Sequence, residues 1–319
     1  MKKSYYRVDV RMHPNVNSMM FLRTPLVQKL PRYLATLPQS VYTTGQISQL
    51  IEDYAKAVND PFDAATEIYL QYMVDKGLIG EIVIEGEKRN MKRYLTLPDT
   101  SPFEIACSLK TNSYLSHLAA AYVHGLVPAE PHVICVSVEG SKRAAEEGDL
   151  DQEKIDEAFQ RPQRQSGAKM RCGNKHFLLL TSIYAERAGI EERRRFSLTG
   201  IERTLIDLTV RPAYGGGAGN ILRTYKKAIS SLSIDRIIKL LEILSYKYPY
   251  HQSIGLYLSL AGYCQQKELD KLKKMGMIHS FYLEYEMIDP VYSDEWNIYF
   301  PKELVAGTLD PDLEKEPGR

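Results

Sequence analysis

Residues 78–97 read LIGEIVIEGEKRNMKRYLTL, and their meaning depends on what precedes them. LIGEIVI and RYLTL are rich in β-branched, aromatic and large aliphatic residues. The polar run EGEKRNMK between them predicts a hairpin with a charged loop. Three helical patterns come first. In residues 25–37, Leu26, Leu30, Tyr33, Leu34 and Leu37 share a stripe between Pro25 and Pro38. A second helix starts near Thr43 or Thr44, either of which can cap it, and buries Ile47, Leu50, Ile51, Tyr54 and Val58. A third covers residues 62–76, with Ala65, Ile68, Tyr69, Tyr72 and Met73 inward and Gly77 as its left-handed stop. Helix, helix, helix, hairpin is the order of a winged helix-turn-helix.

This sets the fold expectation: an α+β, mainly helical chain in two parts. Residues 1–98 would be a winged helix-turn-helix DNA-binding domain with a basic N-terminal arm. Residues 99–319, beyond a Pro98-Asp99-Thr100-Ser101-Pro102 boundary, would be a mixed α/β domain with a helical C-terminal half. Strands are predicted at 131–138 and 177–183, and helices at 112–124, 197–210, 218–230, 233–245 and 249–260. Residues 139–169 read as a charged insertion with one surface helix, and 307–319 as a frayed tail.

At 319 residues, 44% hydrophobic and 25% charged, the chain can build a sizeable core. Its formal net charge of +1 names no partner, so attraction to nucleic acid must come from a local patch. Cys107, Cys135, Cys172 and Cys264 stand apart without metal-ligand spacing and suit reduced thiols in a cytoplasmic protein. No apolar run is long enough for a bilayer, so no membrane partner is expected.

For DNA, the predicted contacts are Thr44 at the second helix, Thr66, Glu67 and Gln71 on the outer face of the third, and Lys88, Arg89, Lys92 and Arg93 on the hairpin. Such cations neutralise phosphates while a helix reads base edges. Residues 38–80 hold six acidic and two basic side chains, however, which disfavours phosphate. A surface that docks protein is therefore the alternative. Arg193, Arg194 and Arg195, with Arg187 upstream, form a second cationic cluster, read either as a solvated face or as a seat for an acidic or nucleic-acid partner.

Catalytic patterns are missing. No metal-protease, nucleophile-elbow or Cys–His signature occurs, and His117 and His124 lack a third ligand. Glu202 fits a capping box with Thr199, and Asp207 is spaced to pair with Arg203. The Gly215-Gly216-Gly217-Ala218-Gly219 cluster has no following Lys-Ser or Lys-Thr, so it reads as a turn between helices. The expectation is a non-enzyme without cofactors. The aromatic, acidic stretch around Trp296 reads as a strand pair completing the core.

Three segments carry a resemblance. FSLTGIERTLIDLTVRPAY at residues 196–214 with its glycine turn, SYLSHLAAAYVHGLVP at 113–128 and YPYHQSIGLYLSLAGY at 248–263 resemble, in that order, AbiEi-type antitoxins. The resemblance implies the antitoxin of a type IV toxin–antitoxin, abortive-infection system for phage defence. Such a protein binds double-stranded promoter DNA to repress its own operon. It also counteracts a nucleotidyltransferase-like toxin, with no stable complex required. On this reading Glu202, Arg203, Asp207, Arg211, Gly215, Gly216 and Gly217 organise the antitoxin domain.

Overall fold

The structure is a computed structural model that describes residues 25–59, 66–142, 150–165 and 167–305. The basic arm, the start of the expected third helix and the acidic tail lie outside them.

The front begins with α1 (Pro25–Thr36), β1 (Val41–Tyr42), α2 (Thr44–Ala57) and α3 (Thr66–Asp75). A hairpin follows, made of β2 (Gly80–Gly86) and β3 (Met91–Leu95). Thr43 starts α2 with a full capping box, its side chain accepting from the Gln46 amide while Gln46 accepts from the Thr43 amide. That reciprocal pair satisfies two of the amides a helix start leaves open. Gly77, at φ +65°, turns the chain out of α3. A tyrosine-rich core joins Leu26, Leu30, Leu34, Ile47, Ile51, Tyr69, Met73 and Tyr94.

The expected free-standing winged helix in a mainly helical chain does not form. The hairpin belongs to a nine-stranded curled sheet, with strand order β1-β3-β2-β6-β7-β5-β4-β9-β8. The other members are β4 (Tyr114–Leu115), β5 (Val133–Glu139), β6 (Ala168–Cys172), β7 (Lys175–Ser182), β8 (Ile190–Glu192) and β9 (Ser197–Thr199). Strand β6 takes the open edge of β2, aligning Arg171 with Glu85 and Met170 with Gly86. Strand alternation supplies the physical reason. Tyr94 faces the helices, while Ile84 and Leu95 face a second core with Val41, Ile105, Leu115, Ile134, Phe177 and Leu198. The hairpin is thus a wall shared by two cores, where a wing would leave one face and one edge in water.

Helices α4 (Pro102–Cys107) and α5 (His117–Val123) lie on the sheet, and α6 (Gln152–Phe159) lies in the stretch read as a charged insertion. Insertion is a poor description of it. Ile155 and Phe159 are buried, and the Phe159 ring meets Phe281, Tyr282 and Tyr285 at centroid distances of 4.9, 5.7 and 4.3 Å. The rear half packs α7 (Ile201–Val210), α8 (Ala218–Ala228), α9 (Ile234–Leu244), α10 (Tyr250–Leu260) and α11 (Gln266–Lys273) around one core. A three-stranded sheet of β10 (Phe281–Tyr282), β11 (Val291–Ser293) and β12 (Ile298–Phe300) closes it, with Trp296 fully buried. Among the described residues no helix is long and apolar enough to cross a membrane.

Candidate nucleic-acid interface

A cleft of about 670 Å³ runs between the front helices and the sheet. One wall is the loop before α2 with the helix start itself, through Gln39, Thr43 and Gln46. The other is the end of α4 with Lys110 and Asn112, and the turn joining β8 to β9, which carries Arg193, Arg194 and Arg195. The turn closes through the Arg193 amide, which donates to the Phe196 carbonyl at 2.9 Å. This closure puts the arginines at the tip and tucks the Phe196 ring 6.3 Å from that of Phe103. Short turns between paired strands hold their side chains on a rigid base, which suits recognition.

Each cation is held differently. Arg187 donates to the Asn112 carbonyl at 2.8 Å and to Glu192 at 2.6 Å, and lies over the Tyr114 ring. Arg193 pairs with Glu191 at 3.0 Å. Arg195 reaches Asp99 at 3.5 Å and the buried Glu104 at 3.7 Å. Glu104 in turn accepts from Ser40 and caps α4 through Ser101, so this contact ties the front to the rear. Arg194 and Lys110 are exposed, and their side chains have no hydrogen bond or ion pair among the described residues. The lining holds Arg93, Lys110, Arg187, Arg193, Arg194 and Arg195 against Glu104 and Glu192, six positive charges against two negative. The positive end of the α2 dipole adds to that field. Exposed pairs such as Arg193–Glu191 are weak, so a phosphate can displace the carboxylate at little cost.

The predicted DNA contacts divide. Thr44 is exposed beside the cleft, and Lys88 and Arg89 are exposed at the hairpin tip. Lys92 is exposed and pairs with Glu81 at 3.0 Å. Thr66 and Arg93 are corrections, because both are buried. The Thr66 hydroxyl donates to Glu52 at 3.2 Å. Arg93 lies on the inner face of β3 and donates to the Ser108 carbonyl at 2.8 Å, clamping the hairpin to the end of α4. Burial, and then the charge of Arg89, pull its pKa below the ordinary value. Glu67 and Gln71 are exposed, and Gln71 is spent on Asp75 at 2.8 Å. The α3 stripe is also rotated from its predicted phase, with Leu70 buried and Ile68 40% exposed. What α3 shows to solvent is therefore acidic and apolar, unsuited to phosphate.

Residues singled out in the rear half are structural members of α7 and the turn after it. Arg203 is 1% exposed and donates to Asp207 at 2.8 Å and to the Ala188 carbonyl at 3.0 Å. Although burial opposes the charge, Asp207 beside it holds the Arg203 pKa above its usual range. Thr199 is drawn into β9 opposite Ile190, so the expected capping box is absent and Gly200 starts α7. Glu202 instead accepts from the Ser233 amide at 2.9 Å and pairs with Arg236 at 2.7 Å, capping α9. Gly215 is buried against Ile221, and Gly216 and Gly217 adopt φ of +75° and +85°. These glycines make a helix-to-helix turn, and the Ala218 amide donates to Glu284, leaving no phosphate cradle. Arg211 ends α7 half-buried.

Lys110, Asn112 and Gln39 escaped the sequence reading because they belong to connecting loops with no period, and only the sheet topology brings them beside the arginine turn. Among the described residues no group of three or more His, Cys, Asp or Glu side chains could hold a metal ion.

No known protein family matches the chain, and no curated protein matches it either. Its fold is similar to that in the crystal structure of the RV2827C protein from Mycobacterium tuberculosis, with a TM-score of 0.53 over 86% of this chain and 91% of that one. The two share 13% sequence identity, so the likeness is one of fold alone.

Proposed function

We propose that the chain is a non-catalytic, DNA-binding antitoxin of the AbiEi kind, which grips its operator through the arginine-lined cleft rather than through α3. One observation carries this reading: the convergence of Lys110, Arg187, Arg193, Arg194 and Arg195 on one cleft beside the start of α2. Like charges gathered on a rigid turn repel one another, and a polyanion relieves that repulsion. The exposed Lys88 and Arg89 at the hairpin tip offer a second backbone contact. Phosphate contacts of this kind set register and affinity, while sequence is read by groups that reach base edges. Thr44 and Gln46, exposed at the start of α2, are the residues placed for that reading. The rear half, built around α7 with its ERTLID sequence, would counteract a nucleotidyltransferase-like toxin without a stable complex.

The test uses the full chain and the DNA upstream of its own gene in a gel-shift experiment, with an unrelated duplex as competitor. Saturable binding to the upstream DNA that survives the competitor supports the reading, and equal affinity for both duplexes contradicts it. A second reading, protein docking by the front helices, is favoured by the acidic α3 face with its exposed Ile68. It predicts no binding to either duplex.

A further inference from the structure

Apart from the cleft, a small cavity of about 80 Å³ opens between α5, α7 and the end of β7. Its lining includes His117, Ser182, Asp207, Arg211 and Tyr246, while the 43%-exposed Ile183 marks its mouth. These polar groups are arranged with care. Ser137 and Ser116 hydroxyls are 2.8 Å apart, and Ser116 meets His117 Nδ1 at 2.9 Å. That chain fixes the imidazole and leaves Nε2 with no hydrogen bond among the described residues. His117 holds a left-handed backbone, φ +52°, although it is not glycine and is buried. Such a conformation persists only where its surroundings impose it, and it concentrates at ligand sites.

Charge tells the same story. Arg203 and Asp207 neutralise each other, using Asp207 Oδ1. Arg211 lines the cavity with no hydrogen bond or ion pair to its guanidinium among the described residues. Counting Arg203, which lies behind the lining and is paired with Asp207, the three charged groups around the cavity leave the Arg211 charge unmatched, and an anion would balance it. The lining offers donors in the Arg211 guanidinium, the Tyr246 hydroxyl and, in the tautomer whose Nδ1 accepts from Ser116, the Nε2–H of His117. Asp207 Oδ2 supplies an acceptor. At about 80 Å³ the cavity is well below the roughly 300 Å³ at which pockets for drug-sized ligands begin, so it suits a small ion. A tetrahedral oxyanion that keeps one proton fits this set, with its acceptors to the donors and its own O–H to Asp207.

We propose that this cavity is a binding site for a protonated tetrahedral oxyanion of the hydrogen-phosphate class, anchored by Arg211 and selected by Asp207. It goes beyond the DNA-binding reading and shares no residue with the arginine cleft. Sulfate, which carries no proton at neutral pH, leaves Asp207 facing a bare anion and is rejected.

The full chain is titrated at pH 7 with inorganic phosphate, and separately with sulfate at matched ionic strength, while its thermal midpoint is followed. The site predicts a saturable rise with phosphate and a response to sulfate at least tenfold weaker. Arg211→Gln removes the phosphate response, and Tyr246→Phe, a smaller change that keeps the fold, weakens it severalfold. The triple variant Lys110→Gln, Arg193→Gln, Arg194→Gln, which removes the three exposed cations of the cleft, retains the response. Equal responses to the two anions overturn the proposal. So does a phosphate response that survives both Arg211→Gln and Tyr246→Phe, or one that disappears only in the triple cleft variant.

Discussion

At the residue scale, the chain stores its most costly chemistry in α7. Replacing Asp207 by Asn leaves the fully buried Arg203 unpaired, and breaking a buried pair costs about 3–5 kcal/mol. Urea unfolding of Asp207→Asn should show that loss, and a change under about 1 kcal/mol would mean the pair is solvated after all. His117 gives a pH signature. Burial lowers its pKa to about 4, with Arg211 and Arg203 pushing the same way and Asp207 opposing. The unfolded chain, with a histidine near 6.5, binds this proton first as pH falls. The contribution of His117 to stability is therefore intact above about 6.5 and declines by about 1.4 kcal/mol per pH unit down to about 4. His117→Asn, which tolerates the left-handed backbone, should flatten that slope, and an unchanged slope in the variant would contradict the buried neutral imidazole. The Arg203–Asp207 spacing was legible because i to i+4 contact is a property of any helix. The burial of Thr66 and Arg93 was not, since helix phase and strand face depend on partners remote in sequence. Glu202 shows the same limit: its spacing from Thr199 suits a cap, yet Thr199 had a strand partner to satisfy.

Among the elements, the long periodic helices could be read, and the short strands could not. Strands β1 and β4 have two residues, β8 and β9 three, too few for alternation to register. Strand β6, AKMRC, hides in a charged stretch, and its pairing with β2 is what joins the hairpin to the larger sheet. Sequence patterns encode which faces are apolar, but not which edge meets which, so a three-helix-plus-hairpin pattern was read as a closed unit. Element packing is strictest where α10 meets the β11–β12 turn. A Cβ on Gly255 would lie 2.0 Å from the Trp296 ring, which is also pinned by its Nε1 donating to Ser259 at 3.0 Å. Alanine improves helix propensity by about 1 kcal/mol, while overpacking costs about 1–3 kcal/mol or more. Gly255→Ala should thus be less stable on balance, with red-shifted emission from the chain's one tryptophan. A variant more stable than the parent, with unchanged emission, would show that the ring has room.

On the scale of the whole molecule, a continuous sheet couples the front helices to the rear half. Arg93 on Ser108 and Arg195 on Glu104 brace the walls of the cleft between them. A braced cleft holds its cations in fixed register, which suits the regular spacing of a phosphate backbone better than a mobile arm would. The arginine run was legible as charge, but its convergence with Lys110 required the fold. Counterion release turns that convergence into a number, since each phosphate neutralised on duplex DNA contributes about 0.9 to the slope of log K against log salt. The decisive measurement is that slope, by fluorescence anisotropy on the upstream duplex, for the parent chain and for Lys110→Gln, Arg193→Gln, Arg194→Gln. These three side chains are exposed, so the fold should survive. The account predicts a slope shallower by about 2–3 units in the triple variant. Identical slopes for the two proteins would place the DNA elsewhere and contradict the cleft as its seat.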